Sequence, residues 1–304
     1  MIGLLYYKGN KMSIIEQRNS LRFYQGDIEH YEVEKNALPF KHSFYQTKRA
    51  YNLLNVLMYP GMENEYIRFI RESREIPYDL LDDLGEIFKI YKNIFTLMCE
   101  NVKHNDTKTL HLYRVERMQA MEMIKAGHTY SFTSCSLENT PTPYFKKKDG
   151  ILLLEWSIPL CTPHVSINEI LGNNKYQYQK EILLPPFIHF TSEKVNFTPV
   201  ELEYRDLNNQ PPEAKFFLNV LDDWKYSDKS QCNVSLEKLI DGCNQIKTIL
   251  HKLKTEKTVT KNDEKYYCTW KKQFQSQVKI IFDEIYHEVL CDKRNGTLES
   301  DQNE

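Results

Sequence analysis

Long apolar runs are missing from this chain of 304 residues. No segment approaches the ~20 consecutive apolar residues of a membrane-spanning helix, so no membrane role is expected. The opening MIGLLYYKGNK is apolar for only about six residues, short of the roughly 7–15 of a signal-peptide core, and no small-residue cleavage site follows. Paired cysteines are missing too. The seven cysteines, at 99, 135, 161, 232, 243, 268 and 291, are odd in number and scattered, with no C-x-x-C. That spacing excludes a disulfide framework and a zinc site, and implies reduced thiols in a cytoplasmic protein that holds no metal. Charge of one sign is not in excess. The 40 Lys+Arg and 42 Asp+Glu leave a formal charge of −2, which excludes a globally basic binder but not a local basic face. Glycine is scarce, 10 in all, and never arranged as G-x-G-x-x-G or a P-loop. G-x-S-x-G and H-E-x-x-H are absent as well, which removes the signatures of several large enzyme classes.

What is present is an ordinary globular composition, 41% hydrophobic and 27% charged, with enough chain for a sizeable core. Residues 1–40 follow no clear period. From about 45 to 103 the spacing is helical: Tyr51, Leu54 and Leu57 recur along one face, then Leu81, Leu84, Phe88, Tyr91, Phe95 and Met98 along another. Pro60 and Pro77 punctuate three helices there. Beyond 109 the runs are short and β-prone: LHLYRV, YSFTSCSL, GILLLEWSIP, EILLPPFIHF and VELEYRD. Helices first and strands afterwards predict an α+β fold. DLNNQPPEA (206–214) reads as a linker. Two amphipathic helices follow it, one through Leu239, Cys243, Ile246 and Leu250, the other through Tyr267, Trp270, Phe274 and Val278. The expected division is an N-terminal extension over 1–44, a catalytic domain over 45–205, and a helical region with a disordered tail over 206–304.

Three polar anchors stand in or beside these strands. They are Arg114 after Tyr113, Ser134 and Ser136 in FTSCS, and Gln179 with Glu181 in YQYQKEILLPPF. A carboxylate at the lip of an apolar strand needs a reason, since an ionised group there costs free energy unless it is paired or working. Read as a strand, 179–181 puts Gln179 and Glu181 on one face. Each anchor by itself is more often a surface ion pair, a polar strand or a solvated face.

The three taken in order, 20 and then 47 residues apart, resemble the R-S-E class of mono-ADP-ribosyltransferases, the group that contains bacterial ADP-ribosylating toxins. The resemblance covers roughly residues 45–203 and departs from the family at Cys135, where a threonine is usual. It implies helices packed on a split β-sandwich that holds NAD as substrate, with a C-terminal helical extension. It also implies roles: Glu181 stabilises the ribosyl cation, Arg114 with Tyr113 holds the pyrophosphate, Ser134 orients Glu181 or the ribose, and Ser136 braces the strand. Cleavage of the nicotinamide–ribose bond passes through an oxocarbenium-like cation, as glycoside hydrolysis does, and a fixed carboxylate stabilises it.

Gln179 bears on the acceptor, with Tyr176 extending the match to Y-x-x-Q-x-E. By resemblance this favours a nucleic acid base, with an Asn, Gln or Arg side chain of a protein as the alternative. Residues 245–280 carry nine lysines against three acids, with Tyr266, Tyr267, Trp270 and Phe274 among them, a composition suited to phosphates and bases. The same periodicity is also that of a core-facing helix. Other expectations are plain NAD hydrolysis, an antitoxin partner for a toxin or defence effector, and an inactive binding module. Lys146, Lys147 and Lys148 are further candidates for the phosphates, though a loop of like charges is usually just solvated.

Overall fold

The protein was analysed as a computed structural model, which describes residues 13–31, 49–102, 108–117, 120–138, 151–172, 180–196, 213–221 and 235–291. Tyr176, Gln179, Lys146–Lys148, the run VELEYRD and most of the expected linker lie outside these residues.

The fold is α+β, as expected. A helix appears where the sequence showed no period: α1, Ile14–Gln25, is started by Ser13, whose side chain accepts from the Ile15 amide. Gly26 ends it at φ 72, a left-handed cap that a Cβ would strain. Next come α2 (Ala50–Met58), stopped before Pro60, and the short α3 (Glu63–Tyr66), which runs into a wide turn at Ile67–Arg71. The helix α4 (Leu84–Glu100) follows a 3₁₀ turn over Tyr78–Asp83 and is capped by Asp83. Most of α4 is buried.

Among the described residues seven strands form one mixed sheet: β1 (Thr109–Arg117), β2 (Thr133–Ser136), β3 (Ile151–Pro159), β4 (Val165–Ser166), β5 (Glu181–Leu184), β6 (Phe190–Val195) and β7 (Ala214–Val220), in the order β4-β5-β2-β1-β3-β7-β6. All neighbours are antiparallel except β3 and β7. The sheet has a seam. β1 pairs with β3 over its whole length, but its register with β2 holds only at Tyr113↔Ser136. A three-strand part (β4, β5, β2) and a four-strand part (β1, β3, β7, β6) therefore diverge from that pair, leaving room between them.

Two cores follow from strand alternation. Leu152, Leu154, Trp156 and Ile158 of β3 and Phe216 and Leu218 of β7 face one core, against the short helix α5 (Ala120–Ala126). On β5, Ile182 and Leu184 face that core and Leu183 faces the other, so this strand is buried on both sides. A further short helix, α6 (Ile167–Leu171), follows β4 and packs in the other core, with Leu183.

The second core is helical and includes the two C-terminal helices, α7 (Leu236–Glu256) and α8 (Lys261–Tyr286). Phe274 stacks on Phe88 at 5.0 Å and Phe282 on Phe95 at 4.0 Å, so the aromatic stripe of α8 seals against α4. Gly242 lets α7 approach Trp270, whose indole donates to the Leu239 carbonyl at 2.9 Å. Lys271 is buried too and bonds Glu65 and the Gly61 carbonyl. The role suggested for these aromatics, stacking on bases, is therefore closed to Tyr267, Trp270 and Phe274, which are at most 3% exposed. Packing took them because a 3.6-residue apolar stripe has more to gain by covering the equally apolar face of α4 than by meeting solvent. β7, just beyond the expected boundary at 205, belongs to the same sheet, and α7 and α8 share one core with the N-terminal helices.

Candidate active site

The seam opens into a cleft of about 430 Å³. It is lined by the end of α1, by α2, by the segment from Tyr59 to Arg74, and by the facing ends of β1, β2 and β5. Arg114, Ser134 and Glu181, from three different strands, all reach it.

Glu181 is the first residue of β5 and is 7% exposed. Burial raises its pKa, while hydrogen bonds from Ser134 and Gln25 and the charge of Arg114 pull it down; the net direction is up. The Gln25 amide nitrogen donates to Glu181 Oε2 at 2.9 Å. Gln25 comes from the segment read as an N-terminal extension, and nothing in its neighbourhood of sequence marks it. Only the left-handed cap at Gly26 and the packing of α1 on α4 put it there; Asn93 of α4 donates to Ser20 at 2.7 Å in the buried interface.

Arg114 uses its fork on protein groups. Its guanidinium pairs with Glu116 and donates to the carbonyl of Ser134. That carbonyl lies where the β1–β2 ladder stops, so the arginine side chain takes up an acceptor the diverging strands leave open. Burial lowers the Arg114 pKa, but Glu116 above all the other groups more than offsets this, and the net direction is up. The arginine is a fixed cation.

Three more arginines line the cleft: Arg68, Arg74 and Arg117. Arg74 pairs with Glu72 at 2.8 Å, Arg117 also pairs with Glu72, and Arg68 donates to Asn52. With Arg114, four cations face Glu72, Glu116 and Glu181, an excess of one positive charge among the residues that line the cleft. Arg117 went unmarked in the sequence, because strand alternation puts it on the opposite face from Arg114. Arg68 and Arg74 were not marked either, because the turn at Ile67–Arg71 decides where they point.

The remaining anchors sit differently. Tyr113 and Ser136 pair in register at the seam and do not line the cleft. The Ser136 hydroxyl accepts from the Glu138 amide at 3.1 Å, just past the strand end. Cys135 faces the sheet core, and burial pushes its thiol up to about 12, so it is no nucleophile. Lys180 has φ 44, a left-handed residue that interrupts the extended chain before Glu181. The same-face argument for Gln179 and Glu181 assumed an extended strand through 180, and that assumption does not hold. Gln179 and Tyr176 themselves are outside the described residues. The prolines of the ILLPPF run have a local reason. The turn at Pro185–Phe187 is clamped by Thr129, whose hydroxyl donates to the Pro185 carbonyl at 3.0 Å and accepts from the Ile188 amide at 2.9 Å.

No protein-family model matches the chain, and no curated protein sequence does. Several solved structures align loosely. The C3 exoenzyme of Clostridium limosum is 12% identical over 68% of this chain and 85% of its own, with a TM-score of 0.32. Exoenzyme S from Pseudomonas aeruginosa, solved with human 14-3-3 protein beta and carba-NAD, is 13% identical over 73% and 97%, TM-score 0.33. Plx2a, an ADP-ribosyltransferase toxin from Paenibacillus larvae, is 14% identical over 57% and 92%, TM-score 0.31. Superpositions this loose carry no weight for what the chain does; the site has to. Among the described residues no cluster of His, Cys, Asp or Glu is suited to a metal ion, and no helix is long and apolar enough to cross a membrane.

Proposed function

We propose that this protein is an NAD-dependent mono-ADP-ribosyltransferase. The observation that carries the proposal is Glu181: a nearly buried carboxylate, braced by Ser134 and Gln25, in one cleft with Arg114. A buried anion in an arginine-rich cleft suits a substrate that carries paired phosphates and generates a cation next to them. Guanidinium forks suit a pyrophosphate, and the cleft volume lies within the roughly 300–1,000 Å³ of ligand pockets. The order Arg114, Ser134, Glu181 and its resemblance to the R-S-E class support the same reading.

In the proposed reaction the bond between ribose C1′ and nicotinamide breaks, and its electron pair leaves with nicotinamide. Glu181 stabilises the positive charge that develops on the ribose, and Ser134 holds the carboxylate in place. A nucleophile of the acceptor then bonds to C1′ and gives up its proton to solvent. On Tyr176 and Gln179 the acceptor we propose is a nucleic acid base. The burial of the α8 aromatics takes away one support for that choice and favours, as the second reading, a protein side chain. A transferase that acts inside the cell that makes it is toxic there, hence a toxin or effector role with either an antitoxin as partner or export to a target cell.

The test is incubation with labelled NAD and a cell lysate, divided into protease-treated and nuclease-treated halves, with Glu181→Gln alongside. Label lost to nuclease and kept through protease supports the base acceptor; the converse moves it to a protein. Free ADP-ribose alone means that water is the acceptor. Without nicotinamide release by the wild type, the transferase reading falls and the binding module stands.

A further inference from the structure

The Gln25 carboxamide is only half used. Its nitrogen donates to Glu181 at 2.9 Å, while its oxygen is buried with no partner among the described residues. The assignment of the two ends follows from chemistry: an ionised carboxylate only accepts, so the end facing it is the donor. The covalent geometry of the amide then fixes Oε1 beside the carboxylate, two acceptors side by side at the cleft wall. A buried acceptor with no donor calls for a partner, and this one belongs to a residue that lines the cleft beside the carboxylate.

We infer that Gln25 is a specificity residue of the NAD site, its Oε1 accepting from the 3′-hydroxyl of the nicotinamide ribose while Glu181 accepts from the 2′-hydroxyl. A vicinal diol presents two adjacent O–H donors, which is the complement of a carboxylate next to a carboxamide oxygen. A site built to hydrogen-bond a hydroxyl rejects the analogue that lacks it, because its buried acceptor is left bare. Gln25 is well anchored for this task. Its neighbour Tyr24 is buried and bonded to Asn55, the chain turns at Gly26, and α1 is locked to α4 by Asn93–Ser20 and Lys89–Glu16. The inference rests on the NAD reading above.

The experiment crosses protein with substrate. Nicotinamide release by the full chain is followed with NAD and with its analogue deoxygenated at the 3′ position of the nicotinamide ribose, for wild type and Gln25→Met. The wild type should prefer NAD by on the order of 10²-fold in kcat/KM, the size expected when a neutral buried acceptor is left without its donor. Gln25→Met should lower kcat/KM for NAD and bring that preference within about threefold, because the analogue never used Oε1. Equal rates on both substrates with the wild type overturn the inference whatever the variant does. So does a preference that Gln25→Met leaves intact. If Gln25→Met does not fold by circular dichroism, the wild-type preference and Gln25→Asn, which retracts the oxygen by one methylene, decide in the same way. If the wild type releases no nicotinamide, the transferase reading falls by itself. Calorimetric titration of the two dinucleotides then judges Gln25 separately: tighter binding of NAD than of the analogue supports it, and equal or no binding overturns it.

Discussion

Replacing Lys271 by methionine tests whether the C-terminal helices are part of the same folded unit as the site. The Lys271 ammonium is 1% exposed, bonded to Glu65 Oε1 at 2.5 Å and to the Gly61 carbonyl at 2.9 Å, and Tyr267 donates to the same Glu65 oxygen at 2.7 Å. Glu65 is fully buried. Methionine matches the stem of lysine but leaves that carboxylate uncompensated. Breaking a buried pair in this way costs about 3–5 kcal/mol, against a total stability of roughly 5–15 kcal/mol for a domain. At about 2–4 °C per kcal/mol for a chain of this class, the melting temperature should fall by on the order of 10 °C. Adding Glu65→Gln removes the stranded charge and keeps an acceptor for Tyr267. The double variant should therefore be more stable than the sum of the singles by about 1–3 kcal/mol. Urea titrations read by tryptophan fluorescence, with Trp270 the residue next to Lys271, measure all three. A single variant within about 1 kcal/mol of wild type, or a strictly additive double, would mean the pair is solvated and α8 is not a wall of the core, and the reasoning would be wrong.

Four further expectations concern the site and its support. Glu181→Gln should cut nicotinamide release by about 10²–10³-fold, the usual cost of losing one electrostatic contact to a transition state. It should not lower the melting temperature at neutral pH. Burial holds the Glu181 pKa above its ordinary value, so the native state binds that proton more tightly than the unfolded one. Stability then falls as pH rises between the two values, and the amide removes this slope; a less stable Glu181→Gln would contradict the burial argument. Arg114→Lys keeps the charge but loses the fork that joins Glu116 to the Ser134 carbonyl, so KM for NAD should rise about tenfold or more while Lys at Arg74 should matter less. Alkylation of the native protein followed by peptide mapping should mark the partly exposed Cys161 and Cys268 well before Cys135, whose buried thiol has its pKa pushed up to about 12. Gly242→Ala places a methyl 2.7 Å from the Trp270 ring and should cost about 1–3 kcal/mol, with a shift in tryptophan emission as the indole loses the Leu239 carbonyl.

Local chemistry carried much of this protein in its sequence. The periods of α4, α7 and α8 were legible because a helix shows its buried face every 3.6 residues wherever it ends up, and β3 and β5 were legible as short β-prone runs bounded by turns. Arg114, Ser134 and Glu181 could be singled out because each stands in or beside a β-prone run with recognisable neighbours. Other features were settled only by long-range packing. Gln25 reaches Glu181 across 156 residues of chain, by way of a helix with no clear apolar period. The turn at Ile67–Arg71 aims Arg68 and Arg74 at the cleft, and the left-handed Lys180 breaks the strand geometry that alternation took for granted. The aromatic stripe of α8 was equally consistent with solvent-facing base stacking and with core. Its burial depended on the complementary face of α4, some 180 residues earlier in the chain, and no local pattern contains that information.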